Sequence, residues 1–147
     1  LFYVPTWVNY SSVFNKLPVE YQSGQRFTGG APENIVPGVR GITPINTRRE
    51  EDGHGAVRAL DPATGNLRWE FAMTDVTDSG ILTTVTDLLF VGSRDGYFYA
   101  LDARSGEVLW RSTVGGQVVA GPMSYQVGNK QYIAIAAGSA MFTFALP

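Results

Sequence analysis

Ala59-Leu60-Asp61-Pro62-Ala63-Thr64-Gly65-Asn66-Leu67-Arg68-Trp69 returns as Ala100-Leu101-Asp102-Ala103-Arg104-Ser105-Gly106-Glu107-Val108-Leu109-Trp110, with 41 positions from one tryptophan to the next. A period of that length is about one four-stranded propeller blade, a unit that buries its faces only by stacking on its neighbours. Each copy also has a local reading. A strand ends at Ala-Leu-Asp, and the aspartate carboxylate can accept hydrogen bonds from the N–H groups of the turn. Thr64 or Ser105 bonds locally, and Gly65 or Gly106 supplies the left-handed residue of a tight hairpin. The next strand then carries Trp69 or Trp110. Asp61, Asp102, Gly65, Gly106, Trp69 and Trp110 are accordingly assigned to structure, because an indole brings a large apolar surface and needs a partner only for its N–H.

Between and after the copies the same grammar continues. Short apolar runs at Ile81 to Val85, Leu88 to Gly92 and Tyr97 to Leu101, with a turn at Arg94-Asp95-Gly96, predict four strands for one repeat. Beyond Trp110 the expected strands are Val118 to Ala120, Met123 to Val127, Tyr132 to Ala137 and Met141 to Leu146, with a turn at Gly128-Asn129-Lys130. Phe142-Thr143-Phe144-Ala145-Leu146-Pro147 repeats the Phe98 to Asp102 pattern weakly and then stops, so the third unit lacks its last strand. No segment carries a sustained helical period. The chain therefore divides into residues 1–55, a strand plus a long irregular loop; 56–113, the blade repeats; and 114–147, an incomplete last blade. The loop, read from residue 5 to 55, is rich in Pro, Gly, Ser and Asn but holds Trp7, Tyr10, Phe14, Tyr21 and Phe27, aromatics that need something to pack on.

Composition narrows the function classes. With 44% hydrophobic residues the 147-residue chain is a folding one, and 17 glycines with 8 prolines favour short strands and turns. A formal charge of −2 offers no basic footprint for nucleic acid. The absence of cysteine removes disulfides and thiolate metal sites. No apolar run approaches the roughly 20 residues of a membrane-spanning helix. Because Leu1 opens the chain inside the strand-like run Leu1-Phe2-Tyr3-Val4, the expectation is a piece cut from a longer polypeptide.

The pattern Ala-x-Asp-x-x-Thr/Ser-Gly-x-x-x-Trp resembles the tryptophan-docking motif of the quinoprotein propellers, in which each indole lies against the backbone of the neighbouring blade. Three further stretches are similar to the pyrroloquinoline-quinone (PQQ) dehydrogenases of that superfamily. They are Leu1 to Pro5 followed by Pro18 to Gly30; Ser79 to Thr84 leading into Leu88 to Phe98; and Gly121 to Tyr125 with Gly128 to Ala134. The fold this implies is all-β, about three blades of an eight-bladed quinoprotein β-propeller, from its C-terminal portion. Two positions depart from the common pattern: Thr77-Asp78 stands where Trp or Asn is usual, and Trp7, with Asn9 close by, stands where Asn is usual.

What the resemblance implies is oxidation of an alcohol or sugar in the periplasm, by an enzyme that is free or membrane-associated through parts outside this chain. PQQ is the acceptor, Ca2+ its Lewis acid and an aspartate the general base. The catalytic aspartate and the calcium ligands are expected upstream, so the chain holds no catalytic or metal residue and is inactive alone. Its candidate cofactor contacts are Asp78, Ser79, Trp7 and Asn9, which would face the central channel. Each also has a plainer reading: Asp78 as a turn or cap residue, Trp7 as core. His54 between glycines and the run Arg48 to Gly53 read as loop. The expected partners are the rest of the propeller, or further copies of the chain, and a small alcohol or sugar; no nucleic acid. The alternative is a non-enzymatic propeller that binds proteins over its face, since assembly propellers of the outer membrane carry similar repeats.

Overall fold

The computed structural model describes residues 1–8, 20–24 and 53–146. Ten strands are placed: β1 (Phe2–Val8), β2 (His54–Leu60), β3 (Leu67–Met73), β4 (Leu82–Thr83), β5 (Leu88–Gly92), β6 (Tyr97–Asp102), β7 (Val108–Thr113), β8 (Met123–Val127), β9 (Lys130–Ala137) and β10 (Ala140–Ala145). They form three antiparallel sheets in the orders β1-β2-β3, β4-β5-β6-β7 and β10-β9-β8. The middle sheet is the complete four-stranded unit that the 41-residue period predicts. The third holds three strands, one fewer than the four runs expected after Trp110. In the first sheet β1 pairs with β2 along its whole length, from Phe2 opposite Leu60 to Val8 opposite His54. The long excursion therefore leaves from and returns to one end of a single strand pair.

Both copies of the repeat fold alike. The Asp61 carboxylate accepts the N–H groups of Ala63 (2.9 Å) and Thr64 (3.1 Å), while Gly65 N donates to the Asp61 carbonyl at 2.8 Å with φ +73°. At Asp102 the carboxylate accepts Arg104 N (2.7 Å) and Ser105 N (3.0 Å), and Gly106 N donates to the Asp102 carbonyl at 2.8 Å with φ +78°. A bulge precedes each turn, at Ala59/Leu60 and Ala100/Leu101. These backbone donors hold both carboxyls below the usual carboxylate range. A depressed carboxyl favours the fold above its unfolded pKa of about 4, and that contribution is lost as pH falls through the folded value. In a melting series from pH 6 down to pH 2, Asp102→Asn should lie below the parent at pH 6 and converge on it below about pH 4.

The core lies between sheets. Val57 and Met73 of the first sheet pack on Leu89, Val91, Tyr99 and Leu101 of the second. On the opposite face of the second sheet, Phe90, Phe98 and Ala100 meet Ile133, Ile135 and Ala137 of the third. Because β5 and β6 send successive side chains to opposite faces, and both faces are covered, they read as unbroken apolar runs rather than alternating ones.

The tryptophans sit at these junctions. From β3, Trp69 donates its indole N–H to the carbonyl of Ala103 at 3.1 Å, where the Tyr3 hydroxyl also donates at 2.8 Å. Its ring lies against Gly106 so closely that a Cβ there would come 2.6 Å from Cε3 and 2.9 Å from Cδ2. The indole of one sheet is thus docked on the turn glycine of the next. Trp110, in β7, meets Phe144 of the third sheet edge-on at 4.9 Å between ring centres and stays 40% exposed.

Three sequence expectations are corrected. The irregular excursion does not begin at residue 5, because Pro5 and Trp7 stay paired with Val57 and Gly55 in β1, which runs to Val8. The predicted strand Ile81 to Val85 is only Leu82–Thr83, because the chain turns through Thr84 to Asp87 and leaves Val85 wholly exposed. Val118 to Ala120 is not a strand. Val118 is a buried plug packed over the α-carbon of Gly92, where no Cβ would fit, and its N–H donates to the Ser93 carbonyl.

Candidate functional site

The connector from Thr74 to Ile81, between β3 and β4, touches all three sheets. Gly55 of the first sheet donates its N–H to the Asp75 carbonyl at 3.2 Å, and a Cβ on Gly55 would lie 2.5 Å from that oxygen and 2.8 Å from Thr77 N. From the second sheet, Arg94 N donates to the Val76 carbonyl at 3.3 Å. From the segment leading into the third, Gly121 approaches Gly80 so closely that a Cβ on Gly80 would lie 2.9 Å from the Gly121 α-carbon. Glycine at 55 and 80 lets three backbones meet at one place.

Within the connector, Asp75, Val76, Thr77 and Ser79 are buried and Asp78 is exposed. The Thr77 hydroxyl donates to the Gly92 carbonyl (2.6 Å) and accepts Ser79 N–H (3.2 Å). Ser79 Oγ accepts Gly92 N–H (3.1 Å) and lies 3.0 Å from the Ala120 carbonyl and 2.9 Å from that of Gly80. Asp78, between them, points outward and is ion-paired with Arg94, whose Nε donates to Asp78 Oδ2 at 2.6 Å. The Arg94 guanidinium carbon stands 5.7 Å from the ring centre of Trp7. Trp7 in turn donates its indole N–H to the Thr77 carbonyl at 2.9 Å and is 49% exposed.

Two of the four sequence candidates, Trp7 and Asp78, thus come together from chain positions 71 apart. Ser79 lies next to them, with its hydroxyl engaged by the backbone of Gly92 and Ala120. Asn9 lies outside the described residues. His54 opens β2 opposite Val8, and no described residue ion-pairs with it. Arg94 was missed by sequence reasoning: in Ser93-Arg94-Asp95-Gly96 it reads as one more turn residue, and only the fold carries it to Asp78 and Trp7.

The cluster presents one cation, one carboxylate and one indole at a junction of three sheets. Such a set can bind and orient an anionic or aromatic group; among the described residues it holds no nucleophile paired with a base. Among the described residues no three His, Asp or Glu side chains gather as a metal would need. An indole face beside a guanidinium can line a flat anionic group, whereas the one carboxylate, paired with Arg94, does not make a metal site.

A repeated antiparallel sheet, an indole docked on the next turn and a polar junction at the strand ends define a propeller of quinoprotein type. The PQQ_2 family, described as "Outer membrane protein assembly factor BamB", matches residues 53–144, and the chain belongs to it. Among relatives, a quinoprotein ethanol dehydrogenase of Pseudomonas putida is 38% identical over 91 residues, covering 62% of this chain and 15% of its own length. A lanthanide-dependent methanol dehydrogenase of Methylacidiphilum fumariolicum is 30% identical over 140 residues, 94% of this chain and 21% of its own. The quinohemoprotein alcohol dehydrogenase ADHIIG of Pseudomonas putida HK5 superposes with a TM-score of 0.57 at 33% identity, over 61% of this chain and 13% of that one. The chain is similar to part of these PQQ-type alcohol dehydrogenases and spans about a fifth or less of their length.

Proposed function

We propose that the chain forms part of the cofactor wall of a PQQ-dependent dehydrogenase that oxidises alcohols rather than sugars and works in the periplasm. The observation that carries this reading is the convergence of Trp7, Thr77, Asp78 and Arg94 where the three sheets meet. Support for an alcohol comes from the ethanol, methanol and alcohol dehydrogenases among the similar proteins. Bound PQQ supplies the two-electron acceptor chemistry that these side chains lack. Trp7 offers it an apolar wall, the connector backbone fixes the height of that wall, and the Asp78–Arg94 pair keeps the rim polar. A metal ion, calcium or a lanthanide, is held by residues other than those described, and so is the general base. The remainder of the propeller, or a further copy of the chain, covers the faces left open.

The test is PQQ binding by the full-length gene product, followed by quenching of tryptophan fluorescence in the presence of Ca2+ or La3+, together with dye-linked oxidation of ethanol and glucose. Saturable binding with turnover of ethanol and little of glucose is expected. A folded protein that binds no PQQ with either ion would overturn the proposal in favour of the protein-binding propeller, the reading favoured by the assembly-factor description of the matching family.

A further inference from the structure

We propose that Arg94 is a carboxylate-binding residue, with its end-on guanidinium edge holding one carboxylate of the quinone cofactor. This rests on the cofactor-wall reading above and adds to it the residue that recognises the cofactor's charge. Two side chains and one backbone bond, from separate parts of the chain, fix the residue. Asp78 Oδ2 takes Nε and Nη2, the side-on edge. Trp7 lies beneath the plane at cation–π distance. The backbone N–H of Arg94 is tied to the Val76 carbonyl, so the residue's base cannot swing.

An arginine fork has a second edge, formed by Nη1 and the remaining N–H of Nη2, whose two donors run parallel. No described residue places an acceptor on Nη1. With 22% of its side chain exposed, the group is partly desolvated, which strengthens a charged hydrogen bond. An edge of this shape matches a planar carboxylate in two-point contact, as an ammonium does not. PQQ carries three carboxylates on a flat ring system. Asp78 is then a positioning residue: it orients the fork, and its own charge is neutralised by the pair. Without Arg94 the junction would present a lone carboxylate to a polyanion.

The experiment compares PQQ with its trimethyl ester, which keeps the ring and loses the charges, on the full-length protein with Ca2+ or La3+ present. Binding is read by fluorescence quenching, with no need for turnover. Arg94→Gln should raise the Kd for PQQ about tenfold or more and change that for the ester less than about twofold. Arg94→Lys keeps a cation beside Asp78 and protects the fold while losing the fork, so it should fall between the two for PQQ and leave the ester unaffected. If the parent binds PQQ and both variants bind it equally well, the assignment of Arg94 is overturned while the cofactor-wall reading stands. Equal weakening of PQQ and ester, with a lower melting temperature, would make Arg94 a structural staple only and overturn it as well. A parent that binds neither compound overturns the underlying reading.

Discussion

Replacing Gly55 by alanine is expected to destabilise the fold by about 3 kcal/mol, near the top of the range for overpacking, and to weaken PQQ binding with it. The added Cβ would meet only backbone: the Asp75 carbonyl at 2.5 Å, Thr77 N at 2.8 Å and the Val76 α-carbon at 2.9 Å. A flexible side chain could swing away from such a contact; a connector pinned to three sheets cannot. Relief requires residues 75–77 to move off β2, and that movement carries away the Thr77 carbonyl that receives the Trp7 indole. Denaturant melting and PQQ titration of the same variant check both halves. A loss of stability below about 1 kcal/mol with unchanged binding would mean that the connector is looser than its contacts indicate.

The second large effect is at Trp69. Trp69→Ala should cost about 3 kcal/mol, the lower end of large aromatic truncations, since the ring is half-buried. The loss has three parts: the ring's contact with Gly106, its bond to the Ala103 carbonyl and its packing against Tyr3, with ring centres 5.7 Å apart. Trp110→Ala should cost less, about 1–2 kcal/mol, because that indole is 40% exposed and meets Phe144 edge-on rather than a glycine turn. Urea unfolding of the two variants gives the ranking directly, and the reverse order would contradict it.

The fold was legible where residues repeat a local mechanism. Asp61 and Asp102, Gly65 and Gly106, Trp69 and Trp110 each predict a strand, a carboxylate-held turn and a strand, and the structure repeats those bonds to within 0.1–0.2 Å. Legibility failed where tertiary packing decides. Val118 to Ala120 has the β-branched residues of a strand, but Val118 fills the space over Gly92 and its N–H goes to Ser93, so no ladder forms. Ile81 to Val85 looked longer than it is because Thr84 turns back on Leu88.

The candidate site was half legible. Trp7 and Asp78 stood out because they depart from the pattern the chain otherwise resembles, and the fold brings them to one place. Arg94 carried no signal, since its role depends on a turn of one sheet reaching the connector of another. Gly55, flanked by His54 and Ala56, likewise shows nothing in sequence of the three backbones it lets meet.

The first two sheets dock through an indole laid on a glycine, and a double-mutant cycle between Trp69 and Gly106 measures that contact. Alanine at 106 brings two costs: its positive φ, about 1 kcal/mol, and the clash of its Cβ with the Trp69 ring at 2.6 Å. Only the second depends on Trp69. Gly106→Ala should therefore cost about 2–4 kcal/mol with Trp69 present and about 1 kcal/mol in the Trp69→Ala background, a coupling above about 1 kcal/mol. Additivity within about 0.5 kcal/mol would mean that the two residues do not touch, and the docked-sheet architecture would be contradicted.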